Sequence, residues 1–165
     1  MRLVALSLAC LVAVAACSPN ETATTDSDSA EIGQAALEGI EATPFNSPEY
    51  LVQNIGDRVL FELDSSALTG EAEETLLDQA AWLRDNPQHM ITVEGHADER
   101  GTREYNLALG ARRSESVRSF LIQNGVQASR IGTVSYGKER PELPCSFEQC
   151  WSQNRRAVTV VESGG

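Results

Sequence analysis

The chain has 165 residues, with 24 aspartates and glutamates against 13 lysines and arginines and a net charge of −11. An acid excess on this scale repels polyphosphate, which excludes nucleic acid as a partner class. The length accommodates one domain of ordinary size with a flanking segment.

Residues 1–16, MRLVALSLACLVAVAA, place one arginine before an apolar run that ends in small side chains. This is the pattern of an export signal, and the run is too short to span a bilayer as a mature helix. Val14-Ala15-Ala16-Cys17 is similar to the sequence cut by the bacterial lipoprotein signal peptidase, which makes Cys17 the expected lipidated N-terminus. Cys10 suits that role less well, because Ser7 stands where an aliphatic residue belongs. A single acyl chain holds a protein marginally and two or more hold it stably, so the mature chain is expected to be tethered to a membrane without crossing it. Ser18 replaces the aspartate that, in enteric relatives of such lipoproteins, retains them on the inner membrane, and outer-membrane sorting is the expectation.

Residues 17–45 form the next unit. Between 18 and 43 there is no basic and no aromatic residue, only a sequence rich in Ser, Thr, Asp, Glu and Ala. Such a segment buries too little apolar surface to offset ordering and is expected to be a disordered acidic tether. As a coil it reaches about 28 Å, and pulled taut at most about 90 Å.

Residues 46–165 are the expected folded domain. Ser47-Pro48-Glu49 resembles a cap followed by proline at the first helical position, predicting a short helix over 48–55. Val59, Phe61 and Leu63 alternate with Glu62 and Asp64, which predicts a half-buried strand. Ala72, Leu76, Ala80 and Leu83 share one helical face; with Thr69 as cap and Asn86-Pro87 as stop they predict a helix over 70–86. A strand follows from Met90 to His96, then a helix from Thr102 or Arg103 to Asn124-Gly125, where glycine accepts a helix stop. Strands over 131–136 and 157–161 complete the pattern. Strands alternating with helices predict an α/β two-layer sandwich, a mixed four-stranded sheet with two main helices on one face, in the order βαβαββ.

Cys145-x4-Cys150, in an exported chain, reads as a disulfide closing a local loop, with a free or metal-bound pair as the lesser alternative. His96-x-Asp98 invites a metal reading, but the chain has only two histidines and His89 has the wrong side-chain parity along the strand, so no metal site is expected. No serine sits in a G-x-S-x-G turn, and Asp98 and Glu99 are neighbours in sequence where a glycosidase pair would flank a cleft; no enzyme activity is expected.

Three stretches, "VEGHADERGTREYNLALGARR", "SYGKERP" and "NRRAVTV", together resemble the OmpA-like domain family, most closely its lipid-anchored, peptidoglycan-associated members, over residues 56–162. The resemblance implies non-covalent binding of the peptidoglycan stem peptide at its diaminopimelate residue, with the lipid held in the outer membrane and the domain facing the periplasm. It also implies docking to TolB of the Tol-Pal envelope system, which serves cell division and envelope integrity. No cofactor is implied, and wall binding is expected to survive loss of the Cys145–Cys150 bridge. Asp98 and Arg113 match the family's paired acid and arginine, and Asn106 its buried asparagine. Phe61 and Asp64 match its first-strand motif, but Ala67 replaces a second acid there, and Asp64 is expected to cap the turn before the helix over 70–86.

The residues agree with that implication. Asn106, Gly110, Arg113 and Val117 share one helical stripe, and glycine at 110 costs a helix about 1 kcal/mol, which suggests close approach of a backbone or a ligand. The end of diaminopimelate carries an ammonium and a carboxylate on one carbon. A carboxylate and a guanidinium a few ångströms apart suit that zwitterion, with amides at a helix start helping the anion. Asp98 and Arg113 are the expected clamp, Asn106, Gly110 and Phe61 its surroundings, and His96 either orients the Asp98 loop or lines the pocket. Glu99, Arg100, Arg103, Glu104 and Arg112 are expected on a solvated face. Arg155 and Arg156 either cover the sheet end or touch ligand. The alternative function is an OmpA-like protein-interaction module that does not bind the wall.

Overall fold

A computed structural model describes residues 43–162. The export signal, Cys17 and nearly all of the expected tether lie outside the described residues. Helix α1 (Pro48–Tyr50) runs into a π-helical turn (Leu51–Ile55) and is followed by β1 (Arg58–Leu60), α2 (Gly70–Asp85) and β2 (Met90–His96). Then come α3 (Arg103–Gln123), β3 (Ile131–Gly137), α4 (Glu148–Asn154) and β4 (Arg156–Glu162).

The four strands form one mixed sheet in the order β1-β4-β2-β3. Strand β4 runs antiparallel to both neighbours, with Val59 opposite Ala157 and Val93 opposite Thr159, while β2 and β3 are parallel. A parallel pair requires a crossover, and α3 supplies it. The apolar positions that the sequence places on one face of α2, namely Ala72, Leu76, Ala80 and Leu83, are all buried, against Val59, Ile91, Val93, Val117, Leu121 and Ala157. Both long helices start at a threonine cap: Thr69 Oγ1 accepts from the Ala72 amide at 3.2 Å and Thr102 Oγ1 from the Tyr105 amide at 3.2 Å. Thr69 caps α2 as expected, whereas Asp64, expected to cap the turn before that helix, accepts from the Tyr105 hydroxyl instead.

Strand β2 passes under α3 at its closest approach, where Gly95 meets Gly110. A Cβ on Gly110 would lie 2.8 Å from the Gly95 carbonyl oxygen, so the helix reaches the sheet only because both residues lack one. The close approach read from the sequence at Gly110 is therefore one of backbone to backbone.

Two elements differ from the sequence reading. The first strand stops at Leu60 and does not alternate on to Leu63: the Phe61 amide still donates to the Arg155 carbonyl at 2.8 Å, but the chain then turns, with the Ser65 amide donating to the Glu62 carbonyl at 3.2 Å. Asp64 is left-handed there, with φ of 54°, and Leu63 is 58% exposed. The cause is Arg113, around whose guanidinium residues 62–65 curl. The second difference is α4, a short helix between the last two strands, which extends the order to βαβαβαβ within the expected sandwich. Cys145 and Cys150 are joined as a disulfide, with Cα atoms 5.8 Å apart, across the entry to α4.

Candidate functional site

The loop from β2 to α3 opens onto a pocket of about 400 Å3. Asp98, Arg100 and Gly101 line it from that loop, Tyr105, Asn106, Leu109 and Arg113 from α3, Leu63 and Asp64 from the turn after β1, and Arg155 from the entry to β4. Three sequence-distant segments thus converge at the carboxyl end of β2, where a polar cluster faces outward.

Arg113 is fully buried, and its guanidinium is fixed by backbone: Nε donates to the Ser65 carbonyl at 2.8 Å, Nη1 to His96 at 2.8 Å and Nη2 to Glu62 at 3.1 Å. Phe61 packs against it with the guanidinium carbon 5.0 Å from the ring centre. Three of its five N–H donors are used in these bonds, and the other two have no partner among the described residues. Burial, together with the nearby Arg155 charge, lowers its pKa to about 10, which still leaves it charged at neutral pH.

Asp98 is buried too. Its carboxylate accepts from the Arg100 amide at 3.1 Å, from Arg100 Nε at 3.2 Å and Nη2 at 2.6 Å, and lies 3.5 Å from Arg155 Nη1. Burial pushes its pKa up, but the hydrogen bonds and charge of Arg100, joined by Arg155, outweigh burial and hold it below the ordinary value. Asp98 and Arg113 therefore share the pocket without pairing directly: the partners of Asp98 are Arg100 and Arg155. Arg100, expected on a solvated face, is one wall of the site.

The loop that carries Asp98 is tied down at several points. Asn106 Nδ2 donates to the Arg100 carbonyl at 2.8 Å, and Lys138 Nζ donates to the carbonyls of Gly101 at 2.6 Å and Glu99 at 3.1 Å. Gly101 takes φ of 90°, which lets the chain turn into α3. Across the mouth, the Tyr105 hydroxyl donates to the Asp64 carboxylate.

Three residues expected at the ligand do other work. The His96 ring is 2% exposed and lies 5.6 Å from that of Tyr136, with Nε2 3.5 Å from Glu94; only its carbonyl serves the site, by holding Arg113. Strand parity explains this, since Gly95 faces α3 and the next side chain faces the opposite side of the sheet. Burial, then the charges of Arg156 and Arg140, lower the His96 pKa to about 4. Gly110 packs on Gly95, and Phe61 lies in the core beneath Arg113; neither lines the pocket.

Conversely, Asp64, Tyr105, Arg100 and Arg155 line it without having been assigned to it from sequence. Arg155 had a signal, in the "NRRAVTV" stretch, but sequence alone does not say which of two adjacent arginines faces which way. Here Arg155 turns to the pocket, while Arg156 meets Glu142 at 3.3 Å.

A carboxylate and several guanidiniums in one open, partly apolar pocket suit a small zwitterion on a larger ligand. The OmpA family model matches residues 60–155. A peptidoglycan-associated lipoprotein of Mesorhizobium japonicum is 49% identical over 162 residues, covering 98% of this chain and 93% of the relative. The crystal structure of the peptidoglycan-associated lipoprotein from Burkholderia pseudomallei is similar with a TM-score of 0.66 at 38% identity, covering 70% of this chain and 100% of that one. The C-terminal domain of Helicobacter pylori MotB shares the fold, with a TM-score of 0.61 at 24% identity over 66% of this chain and 85% of that one. The chain belongs to the OmpA family, among its peptidoglycan-associated lipoproteins.

Proposed function

We propose that this protein is an outer-membrane lipoprotein that grips peptidoglycan non-covalently at the diaminopimelate of the stem peptide and so tethers the outer membrane to the wall. The observation that carries the reading is the convergence of Asp98 and Arg113 on one open pocket, both buried, with Asp98 held ionised by Arg100 and Arg155 and Arg113 fixed by three backbone carbonyls. The remaining donors of Arg113 would meet the ligand carboxylate, and its three backbone bonds fix the fork in place, so little freedom is lost on binding. The ammonium is taken by Asp98, whose carboxylate stays ionised because arginines surround it. Leu109 and Leu63 give the methylene chain an apolar wall.

The amino terminus completes the tether. Lipidated Cys17 would sit in the outer membrane, with the acidic segment to residue 45 as a leash, and the domain in the periplasm would dock TolB within the Tol-Pal system. The test is to incubate the purified protein with isolated sacculi and to assay both pelleting and released muropeptides. Pelleting without release is the expected result. Release of muropeptides would make the protein a hydrolase, and absence of pelleting would leave an interaction module.

A further inference from the structure

The disulfide loop and α4 lie against the pocket, which a remote staple would not do. Glu148, in the first turn of α4, accepts from Arg155 Nη2 at 2.7 Å and lies 3.8 Å from Arg100 Nη2. Trp151, one turn on, stacks on the Arg100 guanidinium with its carbon 4.2 Å from the ring centre, and its indole N–H donates to Glu99 at 3.2 Å. The two arginines that hold Asp98 are thus themselves held by α4.

We propose that Glu148 and Trp151 are positioning residues for Arg155 and Arg100, and that the Cys145–Cys150 bridge, by fixing α4, sets the ligand affinity of the pocket. Helix α4 has seven residues and no side-chain cap at Phe147. A helix of that length does not persist on local bonds alone. What secures it is the bridge at Cys150 and, at its far end, Asn154, whose Oδ1 accepts from the amides of Glu142 and Leu143 at 2.7 and 3.0 Å. The bridge acts on the end that carries Glu148. Arg100 covers Asp98 and must yield some of that contact to a ligand ammonium. The Trp151 ring and the Glu148 carboxylate then keep the displaced guanidinium paired. Without them, Arg100 and Arg155 lose the geometry that leaves Asp98 both ionised and accessible. This replaces the expectation that binding is indifferent to the bridge.

The inference rests on the proposed ligand, so its test has one arm that needs no ligand. In the purified full chain, the Asp98 side-chain carboxyl is titrated by carbon NMR. Cys145→Ser/Cys150→Ser and Trp151→Ala, which change no charge, are each expected to raise its midpoint toward the ordinary carboxylate value. An unchanged midpoint in both variants overturns the proposal whether or not the protein binds peptidoglycan. In the second arm, a synthetic stem tripeptide ending in diaminopimelate is titrated calorimetrically. The bridge variant is expected to bind about tenfold more weakly and Glu148→Gln about fivefold. The effect of Glu148→Gln should vanish in an Arg100→Ala/Arg155→Ala background; full additivity there would reduce Glu148 to a structural part and overturn the positioning role. Failure of the unaltered protein to bind the tripeptide, alongside shifted midpoints, would strike at the proposed ligand and spare the strut.

Discussion

Arg113 serves the fold and the ligand with one side chain, and its substitutions should show both. Arg113→Ala strips three backbone carbonyls of their donor; at about 1–3 kcal/mol for each buried group left unpaired, a stability loss of about 3 kcal/mol or more is expected, seen as a lower denaturation midpoint. Binding alone is better read at Asp98. Asp98→Asn keeps the shape and removes a charge-assisted pair worth about 1.5–3 kcal/mol, so affinity for a diaminopimelate stem peptide should fall about 10- to 150-fold in a calorimetric titration. Arg103→Ala and Glu104→Ala should change it less than about fivefold, since both residues are exposed and the Arg103 pair with Glu139, at 3.3 Å, is screened. Equal losses from all these variants would replace the clamp with a diffuse field. His96 adds a pH dependence. Its folded pKa, about 4, lies below the unfolded value near 6.5, so the unfolded chain binds the extra proton as pH falls through that window. Stability should therefore decline by about 3 kcal/mol between pH 6.5 and 4, and urea denaturation of His96→Gln should lack that part of the slope. At this scale Asp98, Asn106 and Arg113 were readable because they fall in one motif and one helical stripe. The partners of Asp98 were not, because the motif stretches hold seven arginines and spacing does not rank them.

Elements were legible where a period ran long enough to declare itself. Helix α2 and strand β2 match the alternation and the helical face, and α3 is bounded by Thr102 and Asn124-Gly125 as its cap and stop residues suggest. Strand β1 misled because Phe61 and Leu63 continue its alternation, yet Arg113 from a distant helix claims the carbonyls of Glu62 and Ser65 and ends the strand early. Helix α4 was missed because seven residues give too little period to detect. Gly110 shows the reverse case, in which a local cost signals a tertiary contact. Gly110→Ala should gain about 1 kcal/mol of helix propensity and lose more through overpacking against the Gly95 carbonyl and Ser135 Oγ, for which about 1–3 kcal/mol is typical. A net lowering of the thermal midpoint is expected, whereas a rise would mean that α3 can lift off the sheet without harm.

At the scale of the whole molecule, the proposed tether has two attachments that share no residue, a lipid at one end and a pocket at the other. They should therefore fail independently. Cys17→Ser removes the acyl chains, and among the described residues no helix is long and apolar enough to cross a membrane in their place. That variant should leave the outer-membrane fraction on cell fractionation and still pellet with sacculi after purification, because Asp98 and Arg113 lie far along the chain from position 17. Asp98→Asn should do the opposite, staying with the outer membrane and losing the wall. An unchanged outer-membrane fraction for Cys17→Ser would sink the lipid anchor. Loss of sacculus binding by that purified variant would mean that the amino-terminal segment itself takes part in the grip, and the picture of a leash ending in an autonomous clamp would have to be given up.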